Sequence, residues 1–277
     1  MTYQRLGPRP LDYRPVRYAG SRLTFRGPRR DLGHGYVACL GGTETFGSLI
    51  ARPWPDLLEA GLGTACVNFG LPNAGPDVFL ADEGMLRILQ GARAVVLQIP
   101  PAMNLANSHY RVHPRRNDRF LSAEAPLRAL YPEVDFTEFN FTRHMMQRLE
   151  TISPERFARL RAAVQRAWVA RMRRLITATE APVILLWMAR HAPGNGTAGA
   201  GVADDPAFVS RAMLDAIAPR AAATVIAVAS AEARAQGTQG MHFSPVEESL
   251  AASLPGPAAH REAAEALHAP LAACLTR

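Results

Sequence analysis

Five short runs of the chain are almost continuously apolar: residues 36–40, 65–69, 94–99, 183–188 and 224–229. A strand covered on both faces loses the alternation of a half-exposed strand, so these runs predict buried parallel strands. Apolar positions between them recur at helical spacing. Together they predict right-handed β-α-β crossovers and a doubly wound, five-stranded parallel sheet of the α/β class, layered α/β/α. The longest amphipathic segment, residues 154–178, places Leu160, Val164, Trp168, Met172 and Ile176 on one face, with arginines on much of the remainder. That is the pattern of a packing helix with a solvated outer side. Its start is signalled by Ser153 before Pro154; Asp205 before Pro206, and Ser244 with Glu247, predict two further helix starts.

Three stretches depart from this rhythm. Residues 100–181 form a long excursion between the third and fourth strands, and its aromatic part predicts an ordered cap over the strand ends. Residues 194–201 are glycine-rich and predict a mobile loop. Residues 1–35 read as an extended basic arm and residues 36–277 as one α/β domain carrying the cap.

Charge sharpens the picture of the arm. Every one of the 31 basic side chains is arginine, a permanently charged planar fork suited to carboxylate, sulfate or phosphate. Residues 1–31 hold eight arginines against two aspartates, which supplies +6 of the net charge of +7. Tyr3, Tyr13, Tyr18 and Phe25 lie among prolines there, so the arm predicts ordered docking on the domain or on a neighbouring subunit, within a homo-oligomer or larger assembly. Charge alone would also suit nucleic acid, but no helix-turn-helix, RRM or OB pattern accompanies it. Cys39, Cys66 and Cys274 lack metal-ligand spacing, and no Walker A or GxGxxG string occurs, so neither a metal nor a nucleotide cofactor is expected. Without an apolar leader or a run long enough to span a bilayer, a cytoplasmic protein is expected, or a component of a released particle.

Candidate chemistry gathers after the strands, where ligands of open α/β sheets bind. The first strand runs into Gly41-Gly42-Thr43-Glu44-Thr45-Phe46-Gly47, the second into Asn68-Phe69-Gly70-Leu71-Pro72-Asn73-Ala74-Gly75, and the third into Pro100-Pro101-Ala102-Met103-Asn104. In strand order these strings resemble the blocks of the SGNH (GDSL-like) hydrolases, in a divergent bacterial branch with Thr43 in place of the nucleophilic serine and Gly42 in place of the aspartate. The resemblance implies an SGNH/flavodoxin-like fold, with Gly75 N–H and the Asn104 amide as oxyanion donors. It also implies a catalytic histidine near the C-terminus. His260, before the final alanine-rich helix, is favoured over His242, which follows Gln239 where the family has an orienting aspartate. Arg115, Arg116 and Asn107, in the polar part of the cap, are candidate ligand-binding residues.

Three readings of function follow. A hydrolase would cleave an ester of an acylated glycan or small substrate through Thr43, although threonine's methyl crowds attack at a carbonyl. A protein of degenerate site would bind an acylated or anionic polysaccharide, or serve as a non-catalytic subunit of a phage-like particle or surface spike base. Nucleic-acid binding rests on charge alone. Each candidate also has a plain structural role open to it: Thr43 in a backbone turn, Asn104 as a cap, and the histidines as ordinary packing or surface residues.

Overall fold

The computed structural model describes residues 11–196, 199 and 201–276. Seven strands form: β1 Val37–Gly41, β2 Cys66–Gly70, β3 Ala94–Gln98, β4 Tyr110–His113, β5 Arg116–Ala123, β6 Val183–Ala189 and β7 Ala223–Val228. Five make one all-parallel sheet in the order β2-β1-β3-β6-β7, each within a residue or so of its predicted bounds. The order reverses between β1 and β3, which opens a crevice beyond their carboxyl ends.

Alternate residues of each central strand feed two separate cores. Ala38, Leu40, Val95, Leu97, Leu185 and Trp187 face the larger one, with Trp168 and the long helix Pro154–Ile176. Val37, Cys39, Ala94, Val96, Ile184 and Leu186 face the other, under the helices Trp54–Leu62 and Pro257–Leu275. This is why the strands read as unbroken apolar runs: both sides of the pleat are buried. Cys39 and Cys66 are buried free thiols within them.

The excursion folds as an antiparallel hairpin, β4–β5, followed by helices that end in Pro154–Ile176. Ser153 caps that last helix by accepting the Arg156 N–H at 3.3 Å, and the Ser244–Glu247 capping box is formed as the spacing predicts. The helix expected at Asp205 does not form. The Asp205 carboxylate accepts the Ala207 N–H instead and pairs with Arg143, while Ser210 caps a helix over Arg211–Ile217. A local side-chain turn has competed successfully with helix initiation.

The described part of the arm is built into the domain. Val16 pairs with Phe25, and Tyr18, Leu23 and Phe25 are buried in the larger core, with both rings against Phe69. Arg26 is buried and donates to the carbonyls of Phe46, Gly47, Ile50 and Ala51; Arg30 pairs with Glu59 at 2.6 Å. Tyr3, Arg5 and Arg9 lie outside the described residues, as do positions 197, 198 and 200 of the glycine-rich stretch. Among the described residues no helix is long and apolar enough to cross a membrane.

Candidate ligand site at the strand ends

β1 ends at Gly41, and a short helix begins at Thr43. Gly41 is required by contact: a Cβ there would fall 2.1 Å from Thr45 Oγ1 and 2.4 Å from Gln98 Oε1. Gln98, the polar last residue of β3, organises the turn across the crevice. Its Oε1 accepts the Gly42 N–H at 2.7 Å and the Thr45 hydroxyl at 3.1 Å. Its Nε2 donates to Glu44 Oε2 at 3.0 Å and to the Ile99 carbonyl at 3.1 Å. With all four bonds made, the amide orientation is determined.

Thr43 lies beside the loop after β2. Its Oγ1 accepts the Asn73 N–H at 3.0 Å and donates to Asn73 Oδ1 at 3.3 Å. Asn104 Nδ2 donates to the Asn73 carbonyl at 3.0 Å, and Asn104 Oδ1 accepts from the Thr142 hydroxyl at 2.9 Å. The structure therefore brings Thr43 and Asn104 together through Asn73, a residue without a role in the sequence reading. Gly75 is a close-approach position, since a Cβ would lie 1.5 Å from the Asn104 carbonyl oxygen. Its N–H is bound to Asn117 Oδ1 at 3.1 Å. Both expected oxyanion donors are thus engaged by internal partners.

Neither histidine joins them. His260 is fully buried in the smaller core, where its Nδ1 accepts the Trp54 N–H at 3.2 Å. Burial, helped by the Arg26 charge, pushes its pKa down to about 3, so the ring is neutral and structural. The histidine at the head of the final helix serves as a packing and capping partner because the alanine-rich helix turns it inward onto Trp54. His242 donates its backbone N–H to Leu49 and sits beside a small cluster of Leu49, Ile50, Met241 and Ala251. Among the described residues, no hydrogen bond joins Thr43 to any histidine.

A cavity of about 420 Å³ opens over this network. Thr43, Glu44 and Asn73 line it from one side, and Arg143, His191 and Asp205 from the other. Arg143 grips Asp205 with two bonds of 2.7 Å at the rim. Desolvation, with a contribution from the Asp205 charge, raises the Glu44 carboxyl to about 7 against the opposing help of its own N–H, Gln98 and Arg143. Glu44 can therefore carry or release a proton near neutrality. His191, just beyond β6, shares an edge contact with Trp187, and its buried Nε2 has no partner among the described residues. Among the described residues no three His, Cys, Asp or Glu side chains group as metal ligands.

The other ligand-binding candidates separate. Arg115 and Arg116 stand at the tip of the β4–β5 hairpin, whereas Asn107 shapes a turn at its base, accepting the His109 N–H at 2.8 Å. Glu44, Gln98, Arg143 and His191 were not singled out by sequence, and Asp205 was expected only to start a helix. A signal existed for Gln98, a polar residue closing an apolar strand at the switch point, and for Glu44 within the first block; Arg143, Asp205 and His191 converge only through the fold.

No curated protein and no solved structure matches the chain. The model of one family, described as a domain of unknown function (DUF6473), matches residues 1–275, and the chain belongs to that family.

Proposed function

We propose that the protein is SGNH-like with a degenerate active site, and that the strand-end cavity binds an acylated or anionic polysaccharide without turning it over efficiently. One observation carries this reading: the Thr43 hydroxyl directs its proton to the Asn73 amide rather than to a base. A nucleophilic hydroxyl needs a base within about 3 Å, and oxyanion stabilisation needs donors left free for the substrate. Here Gly75 N–H is taken by Asn117, and the Asn104 amide is held by its bonds to the Asn73 carbonyl and the Thr142 hydroxyl. What remains over the cavity suits recognition: the Arg143–Asp205 pair offers charge-assisted bonds, and Glu44 and Asn73 offer polar contacts to hydroxyl-rich ligands. The assembly reading needs an arm with anchors to spare, and Tyr18 and Phe25 are occupied within their own domain.

Calorimetric titration with acetylated and deacetylated uronate oligosaccharides, run beside p-nitrophenyl acetate hydrolysis, tests the proposal. Binding should be measurable, and Thr43→Ala should leave any hydrolysis at the parent level. Hydrolysis that disappears in Thr43→Ala and rises in Thr43→Ser would replace binding by catalysis. Failure to bind any such glycan would remove the reading.

A further inference from the structure

A second concave surface lies on the far side of the loop after β2. It is a groove of about 560 Å³ between the arm and the hairpin tip, lined by Arg17, Arg22, Arg115 and Arg116 above Leu71 and Pro72. A smaller cavity of about 270 Å³ shares Arg22 and Arg115 and continues the groove toward Asp82. Two segments about ninety residues apart in sequence thus deliver four guanidiniums to one surface.

The other cations of the arm show how unusual that is. Arg26 is bound by four carbonyls, Arg30 by Glu59, Arg14 by Asp12, and Arg29 lies over the Tyr18 ring. In the groove, Arg17 bonds the Thr24 hydroxyl, and Arg116 approaches Asp118 at 3.6 Å. Among the described residues the Arg22 and Arg115 side chains have no hydrogen-bond or ion-pair partner. The nearby Asp82 carboxylate accepts two backbone N–H groups, from Arg22 and Met85. Four guanidiniums against the carboxylates of Asp118 and Asp82 leave an excess of positive charge, which a bound anion would offset. Arginine forks match planar carboxylates and tetrahedral sulfates with paired bonds. His113 Nδ1 accepts the Arg115 N–H, so the ring proton sits on Nε2 as a further donor.

We propose that this groove binds the carboxylate or sulfate groups of a polyanionic glycan, as an extension of the strand-end cavity. Leu71 and Pro72 form its floor and lead directly into Asn73, the partner of Thr43. Asn73 Nδ2, the Asp118 carboxylate and Arg116 then form a polar chain from one site to the other. Single-stranded nucleic acid would want aromatic faces for stacking, but the arm's Tyr18 and Phe25 are buried in the larger core. This inference rests on the glycan-binding reading above, and its test separates the two.

Full-length protein is titrated with a heparin oligosaccharide, an oligogalacturonate and an oligothymidylate of matched charge, at low and at moderate salt. The variants are Arg22→Gln/Arg115→Gln in the groove and Arg143→Gln at the cavity, with thermal unfolding as the folding control. The groove pair should weaken binding of at least one glycan roughly tenfold or more, with a shallower salt dependence. Parent-like affinity in the groove pair, with loss in Arg143→Gln, would overturn the groove and leave the cavity reading standing. Loss in the groove pair alone would support the groove and sink the cavity reading. Oligothymidylate binding tighter than either glycan, and lost in the groove pair, would overturn the glycan assignment in favour of nucleic acid.

Discussion

The strand-end cavity and the basic groove meet at Asn73 yet treat polar groups in opposite ways. In the cavity the polar groups have largely found one another: Thr43 with Asn73, Asn73 with Asn104, Asn104 with Thr142, Gln98 with four partners, Arg143 with Asp205. In the groove Arg22 and Arg115 have found none among the described residues. The buried part of the cavity network, around Gln98, Asn104 and Thr142, is obliged to close on itself, since an unsatisfied group there costs about 1–3 kcal/mol. Exposed guanidiniums face no such demand, because water solvates them until an anion arrives. Internal satisfaction leaves Thr43 without a base to activate it. Open charge makes the groove receptive.

The largest effect should come from cutting the closed network at its centre. Gln98→Ala strands the Gly42 N–H and the Ile99 carbonyl and leaves the Thr45 hydroxyl to the Leu40 carbonyl at 3.4 Å, and should cost about 4 kcal/mol, or a fall in Tm of roughly 10 °C. Differential scanning calorimetry measures this. A fall of a degree or two would show that water replaces the amide and that the network is not closed.

A smaller effect should separate the regions by pH. The Glu44 carboxyl is raised to about 7 in the folded protein from 4.5 in the unfolded chain. Between those values the folded state holds the extra proton, so this contribution is present at low pH and lost as pH rises toward and past 7. Glu44→Gln should therefore gain on the parent by up to about 3 kcal/mol between pH 4 and pH 8. His260 has the opposite sign: its pKa of about 3 means that protonation of the unfolded chain weakens the fold as pH falls below 6.5. The difference between Glu44→Gln and the parent in urea unfolding cancels that shared term. A flat difference across pH would mean that Glu44 is solvated after all.

The smallest effect belongs to the groove. Arg22→Gln/Arg115→Gln should change unfolding free energy by no more than about 0.5 kcal/mol, and in the stabilising direction at low salt, where repulsion is least screened. Marked destabilisation would show that these side chains support the fold and would weaken the case that they await an anion.

The five strands, the long helix and its Ser153 cap were readable from sequence, because burial on both faces and local capping leave their marks within a few residues. The glycine at position 41 and the hydroxyl at position 43 were likewise visible, since a strand running into a tight turn advertises both. Which groups Thr43 would meet was decided only in three dimensions. Asn73, Gln98, Arg143 and Asp205 come from the end of β3 and from three separate connections, and the crevice between β1 and β3 brings them within reach. The same holds for His260. Sequence placed it just before the final helix, whereas the helix starts at Pro257 and holds His260 in its first turn, and only packing against Trp54 determined that its ring would be sealed into a core, on a part of the fold that does not line the cavity. Local signals report how a segment is covered; a site depends on which covered segments end side by side, and that is a property of the sheet order.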